Sequence, residues 1–440
     1  MPRGSILNFV YLRVKTRFSI SIVIALGWAG LSTYLATRWI NDLAEVFTMP
    51  VAIAIVTGIA IVPGYLSAQL LIAIFFDRPR SIENVELSYP SMTLLIAAFN
   101  EEESIEATLD GARKQDYPGP LEIRVIDDGS TDSTREIVRA IEAVDPRVQL
   151  MVAEHGGKSS ALNHGLFESR SRYVATVDAD TLLMPQSLRR ATARLLVSPA
   201  DTVAVAGDVL VRNARKNLMT RMQDWDYVLG IASVKRQQGL VRGTLVAQGA
   251  FSVYDARKLR RIGGWPDMIG EDIVLTWSLF VHGGRVAYEP TAVAYTDAPE
   301  RLRMFIRQRK RWARGMIEGL RAHGGTLIAR HRVYSYAVGV NWGFPYLDFV
   351  FTFFWIPGLV LALTGNFMIV GPMTLAVIPL NALVTAMMYR RQRTEVERVG
   401  LSLRRNFLGF VAYFFLYQLM MSPISTWGYF EELFRRDRAW

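Results

Sequence analysis

The sequence predicts an α/β protein: a doubly wound, mostly parallel sheet domain flanked on both sides by transmembrane helices. Three observations predict it. Short apolar runs alternate with helical patterns through the centre of the 440-residue chain, long uncharged stretches stand near both ends, and acidic residues recur where the short runs stop. Strand and helix signals alternating at that spacing specify parallel strands joined by crossover helices. Ligands of such sheets bind beyond the carboxyl ends of the strands.

The flanks come first. Hydrophobic residues make up 51% of the chain and mean hydropathy is +0.18. Ser19 to Thr37, Val51 to Phe76, Phe349 to Tyr389 and Phe407 to Phe430 carry no charge. Each is long enough to cross a bilayer, and Phe349 to Tyr389 is long enough to cross twice. The expected division is a membrane region with two transmembrane helices (1–80), a globular domain (81–332), and a C-terminal region of interfacial and transmembrane helices (333–440). Arg3, Arg13, Lys15 and Arg17 precede the first stretch and Arg78 and Arg80 follow the second, which puts both outer flanks and the central domain on the cytoplasmic side. The basic clusters Arg390, Arg391, Arg393 and Arg435, Arg436, Arg438 both read as cytoplasmic. One crossing between them would separate them, so either that segment re-enters or a stretch around Tyr334 to Phe354 lies in the interface.

With no cysteine, disulfides, thiolate nucleophiles and zinc-thiolate sites are excluded. The net charge of +10 fits anionic lipid as well as nucleic acid.

In the centre, strands are expected at Met92 to Ala98, Leu121 to Ile126, Val148 to Val152, Arg172 to Val177 and Thr202 to Ala206. Helices are expected after Asn100-Glu-Glu-Glu-Ser104, over Asp132 to Ala143, and over Ser159 to Glu168. Asp127 and Asp128 fall where a strand meets a Gly-Ser turn; turn hydrogen bonding explains them as well as ligand binding does. Asp178 and Asp180 lie two apart just after a strand. Two such acids repel unless a cation or donor sits between them, and Mg2+ or Mn2+ bound with substrate phosphates would serve. In HGGKSSALN, Lys158 can meet an anion at a helix start or simply be a solvated loop lysine. Glu271 and Asp272 interrupt an apolar run, where helix-start electrostatics alone would place acids. Gln308, Arg311 and Trp312 share one face of a basic helix: an arginine able to clasp a diphosphate and an indole able to cover a sugar.

Taken in order, DDGSTD, GGKSSALN, DAD, GED and QRKRW resemble the motifs of the processive family 2 membrane glycosyltransferases. These include cellulose, chitin and hyaluronan synthases and, most similar in layout, the bacterial poly-N-acetylglucosamine synthases. The resemblance implies a GT-A-type domain that polymerises N-acetylglucosamine from UDP-N-acetylglucosamine with inversion, in a bacterial inner membrane. It implies that Asp127, Asp128, Lys158, Asp178, Gln308 and Arg311 bind the nucleotide sugar and that Asp180 and Asp178 hold Mg2+ or Mn2+. Asp272 would be the general base, with Glu271 beside it. Trp312, Gln248 and Gly249 would meet the acceptor. The partners implied are a UDP-sugar donor, a growing polysaccharide acceptor and membrane lipids. A small membrane partner subunit is compatible with the resemblance, and nucleic acid is not implied. The alternative readings are another β-glycan synthase (chitin, hyaluronan or glucan type) and transfer of one sugar to a polyprenyl phosphate.

Overall fold

The structure is a computed structural model that describes residues 14–76, 82, 85–240, 243–330, 333–371, 373–403 and 405–434. Arg3, Arg13, Arg78, Arg80, Arg435, Arg436 and Arg438, which entered the orientation argument, lie outside the described residues. The chain divides into two compact units, 1–79 and 80–440.

The first unit is a helical hairpin. Lys15–Ala44 and Met49–Ala73 are both long and apolar enough to cross a membrane. Arg17 donates to the Phe76 carbonyl at 3.0 Å, which ties the open end of the hairpin. Leu26, Leu31, Leu35 and Ile53 point outward, the polarity expected of helices surrounded by hydrocarbon.

The second unit is built on one eight-stranded sheet. Its strands are β1 (Met92–Ala98), β2 (Leu121–Asp127), β3 (Val148–Val152), β4 (Tyr173–Asp178), β5 (Leu182–Leu183), β6 (Thr202–Val211), β7 (Phe251–Asp255) and β8 (Arg285–Thr296). Their order is β3-β2-β1-β4-β7-β6-β8-β5. The β1–β2, β1–β4, β2–β3 and β6–β8 pairs are parallel; β7 runs antiparallel to both neighbours and β5 to β8. Leu94, Leu95 and Ile96 of β1 are wholly buried because helices cover both faces of a parallel sheet. Each such side chain contributes about 1.5–3 kcal/mol of burial.

The five expected strands are all present. The sequence reading missed β5, β7 and β8, and so missed the antiparallel insertion in the middle of the sheet. The expected helices form at Ile105–Arg113, Thr134–Glu142 and Lys158–Glu168. Tyr334 to Phe354 is part of Tyr334–Leu363, a helix long and apolar enough to cross a membrane. Phe407–Leu433 also has that length and composition, while Met373–Arg398 forms one helix that ends among charged residues.

Candidate active site

Two loops knit together beyond β1 and β2. Thr131 N donates to Asn100 Oδ1 (2.8 Å), Glu102 N to Asp132 Oδ2 (3.1 Å) and Ser133 N to Glu102 Oε2 (3.0 Å). Asp127 and Asp128 lie beneath them, both buried. Arg135 donates to Asp127 from Nε at 2.9 Å and from its terminal nitrogen at 2.5 Å. The Asp128 carboxylate accepts from Gly156 N and Gly157 N, each at 2.9 Å. Asp128 therefore holds the HGGK loop in place, with His155 Nδ1 at 2.9 Å from the Asp128 carbonyl. Gly157 has φ +84° and precedes the first helical residue, Lys158, a backbone that glycine adopts without steric cost. Phe99, exposed at the end of β1, lies 4.5 Å ring to ring from His155.

Lys158 reaches across to β4. Its ammonium is hydrogen-bonded to Asp178 Oδ1 and lies 3.7 Å from Glu271 Oε1. Burial would lower the Lys158 pKa, but the carboxylates of Asp178 and Glu271 hold it above the ordinary lysine range. Gly249 is pressed against this pair: a Cβ there would sit 2.7 Å from Lys158 Nζ and 3.6 Å from Asp178 Oδ1. Glu271 opens the Glu271–Val281 helix. Its pKa is pushed up to about 7 by burial, with Lys158 opposing and Asp272 adding to the rise. Asp272 Oδ1 accepts from Ile273 N at 2.8 Å.

The Leu302–Gly319 helix crosses the start of the Glu271–Val281 helix at a pair of glycines. A Cβ on Gly270 would lie 2.5 Å from Gly315 Cα, so the two backbones touch just before Glu271 and just after Trp312. This crossing sets the distance between the acidic pair and the Gln308, Arg311, Trp312 face. Arg311 is exposed and close enough to act on the charges of both Lys158 and Glu271. Gln308 Oε1 is buried with no hydrogen-bond partner among the described residues, and Trp312 is partly exposed.

Residues 90–315, more than half the chain, match the family model described as "Glycosyltransferase like family 2". The chain belongs to that family. Among proteins similar to this family member is poly-β-1,6-N-acetyl-D-glucosamine synthase of Staphylococcus aureus (strain COL), 33% identical over 230 residues; the match covers 52% of this chain and 55% of that protein. The protein of the same name from Staphylococcus epidermidis is 30% identical over 246 residues, 56% of this chain and 59% of that one. The chain thus spans little more than half the length of the curated relatives it matches. Among solved structures, a mannosyltransferase from Pyrobaculum calidifontis in complex with GDP-Man and Mn2+ aligns with a TM-score of 0.54 at 17% identity, over 96% of this chain and 100% of that one. The fold is the GT-A glycosyltransferase fold, a mixed sheet with helices on both faces and further helices that have membrane-spanning length.

In this glycosyltransferase-family chain the acids of DAD form a crowded negative cluster. Asp180 has its pKa pushed up to about 6 by burial, then by Asp178 and Glu101. Burial also raises Glu101, which lies one strand away. Among the described residues no group of three or more His, Cys, Asp or Glu side chains is arranged to hold a metal. Two carboxylates with phosphate oxygens and water are nevertheless the donor set that Mg2+ or Mn2+ takes in nucleotide sites.

Sequence reasoning missed the supports of Trp312 and Gln248. Arg309, only 1% exposed, stacks its guanidinium 4.0 Å from the Trp312 ring and pairs with Asp226 at 2.9 Å. Gln248 accepts a hydrogen bond from the buried Lys235 and donates to the Gly207 carbonyl at 3.0 Å. Lys235 is lowered to about 7 by burial, against the pull of Asp272 and Asp208. Asp208 in turn accepts from Tyr288 (2.8 Å) and Gln392 (2.6 Å). A lone acid inside VAVAGDVLV and two cations after VLGIAS were the available signals.

Proposed function

We propose that the protein is an inverting, UDP-sugar-dependent glycosyltransferase that polymerises N-acetylglucosamine from UDP-N-acetylglucosamine into a β-linked exopolysaccharide, adds many sugars without releasing the chain, and passes the product through the membrane. The observation that carries this reading is the meeting of Lys158, Asp178, Glu271 and Arg311 at one point beyond the strand ends, beside an acid and an exposed tryptophan. The S. aureus and S. epidermidis relatives support the choice of sugar.

In this mechanism the acceptor hydroxyl attacks the anomeric carbon, the bond from that carbon to the diphosphate oxygen breaks, and Asp272 takes the hydroxyl proton. Glu271 keeps Lys158 oriented toward the leaving group. Lys158 and Arg311 meet the charge that grows on the departing diphosphate, and the Gln308 side-chain NH2 would donate to the same group. Asp178 and Asp180 would hold Mg2+ or Mn2+, which when bound stabilises phosphate charge. Asp127 and Asp128 shape the nucleotide end by fixing Arg135 and the HGGK loop, and Phe99 gives a base an aromatic face. Trp312, Gln248 and Gly249 form the acceptor side. A single displacement converts an α-linked donor into a β-linkage.

The catalytic domain, residues 81–332, lies on the cytoplasmic side of a bacterial inner membrane in this reading, with the helices of 1–80 and 333–440 as its membrane parts. The test is purified protein in nanodiscs given a panel of UDP-sugars, with UDP release and product size measured. Long polymer from UDP-N-acetylglucosamine supports the reading. A single sugar added to a lipid extractable into organic solvent would replace it with polyprenyl-phosphate glycosylation.

A further inference from the structure

The loop that carries Gln248 and Gly249 is held from two sides. On one side stands the Glu271–Val281 helix. Ala247 N donates to Thr276 Oγ1 at 2.8 Å, and that hydroxyl donates to the Asp272 carbonyl at 2.7 Å. Trp277 Nε1 donates to the Leu245 carbonyl at 3.1 Å. The loop backbone is thereby joined to the backbone of Asp272 through a single hydroxyl. On the other side stands the Val234–Leu240 helix. Its Gln238 accepts from Leu245 N at 3.0 Å, and its Lys235 donates to Gln248 Oε1.

Lys235 is the costly member of this arrangement. It is 6% exposed, and among the described residues no carboxylate forms an ion pair with it. The neighbouring cation is treated otherwise: Arg236, 4% exposed, faces Glu395 at 3.7 Å. Asp208 and Asp272 act on Lys235 only from a distance. Each oxygen of Asp208 already accepts a hydrogen bond, from Tyr288 at 2.8 Å and from Gln392 at 2.6 Å. Among the described residues the ammonium thus has one acceptor, a neutral amide. Taking a cation out of water costs several kcal/mol, and an apolar side chain of the same length would often be as stable or more so. Fold stability does not explain a lysine here.

What the ammonium does achieve is to fix Gln248. The carboxamide gives its oxygen to Lys235 and an N–H to the Gly207 carbonyl at 3.0 Å, so it cannot turn over without losing both bonds. Gly207 is itself tightly seated: a Cβ there would run into the Phe251 ring and lie 2.9 Å from the Ala292 carbonyl oxygen. One N–H and one lone pair of the carboxamide remain for a sugar hydroxyl.

We infer that Lys235 is a positioning residue for the acceptor: its ammonium holds the Gln248 carboxamide in one orientation, so that the loop tied to Asp272 presents a fixed polar edge to the incoming sugar. This rests on the proposed reading of Gln248 and Gly249 as the acceptor side. Lys235 itself touches neither donor nor acceptor and acts through Gln248.

The test uses the full chain in nanodiscs, with UDP-N-acetylglucosamine as donor and a short β-linked N-acetylglucosamine oligosaccharide as added acceptor. Lys235→Met keeps a side chain of similar length and removes the ammonium. It should raise the acceptor KM about 10–100-fold, the weight of one hydrogen bond to a charged group. UDP affinity should stay within a few-fold, and the melting temperature should equal or exceed that of the parent. Gln248→Met breaks the same contact from the other side and should give the same split, so the test stands even where Lys235→Met does not fold. The double variant should be no worse than the worse single variant, because both changes act through one contact. An unchanged acceptor KM, an additive loss in the double variant, or a joint fall of UDP affinity and melting temperature would overturn the assignment. A parent protein that transfers sugar only to polyprenyl phosphate would instead overturn the polymer reading, and the same comparison is then made with that acceptor.

Discussion

In the proposed mechanism the donor end and the acceptor end of this site are built differently. At the donor end the acids are already satisfied: Asp127 by Arg135, Asp128 by the Gly156 and Gly157 amides, Asp178 by Lys158. That end is closed on itself by loops following neighbouring parallel strands. At the acceptor end Gln248 is held by Lys235 and the Gly207 carbonyl, and the partly exposed Trp312 indole rests on a buried guanidinium. The donor-end acids are thus held by neighbouring loops, whereas the acceptor end presents an exposed aromatic face and depends on distant helices for its placement. Lesions at the two ends should separate binding of nucleotide from use of acceptor.

The largest effect expected comes from removing the cation. Excess chelator should abolish UDP release, and Mg2+ or Mn2+ should restore it, because Asp178, Asp180 and Glu101 crowd negative charge where a diphosphate must bind. Full turnover in EDTA would take the metal out of the donor end. Next, Trp312→Ala should lower polymer yield by about 100-fold, the scale of a misplaced substrate, while UDP affinity measured by calorimetry stays within a few-fold. A matching loss of UDP affinity would erase the distinction between the two ends.

Gly270→Ala drives a methyl group into the Gly315 backbone. It should cost about 1–3 kcal/mol of stability as an overpacking lesion, seen as a lower melting temperature, with turnover falling because the acidic pair and Trp312 move apart. The smallest effect is assigned to Arg309→Lys. The charge near Asp226 is kept and the planar stack under Trp312 is lost, a change of about 0.5–2 kcal/mol. Product chains should shorten, with the KM for donor unchanged; an unaltered product length would remove Arg309 from the acceptor platform.

The same division governed what the sequence disclosed. Strand ends and acids of the donor end are local: a short apolar run followed by Asp127-Asp128-Gly or Asp178-Ala-Asp180 is readable in ten residues. Even there, local reading could not see that Asp128 engages amides 28 and 29 positions away. The acceptor end is assembled from afar. Phe305 and Trp312 stand at helical spacing from Arg309, but its guanidinium also meets Asp226, Tyr227 and Tyr417, and no spacing rule links those positions to it. β7 was missed for a related reason: its antiparallel place between β4 and β6 is chosen by the sheet and not by the FSVYD stretch itself.

Asp272 stands where the two ends meet, so it offers the most direct test of the account. Asp272→Asn and the parent protein, in matched nanodisc preparations, would be compared for UDP affinity and for polymer formed from labelled UDP-N-acetylglucosamine. The account predicts UDP affinity within a few-fold and turnover lowered by about 10²–10⁴, the usual contribution of a general base. Substantial turnover by Asp272→Asn would contradict it.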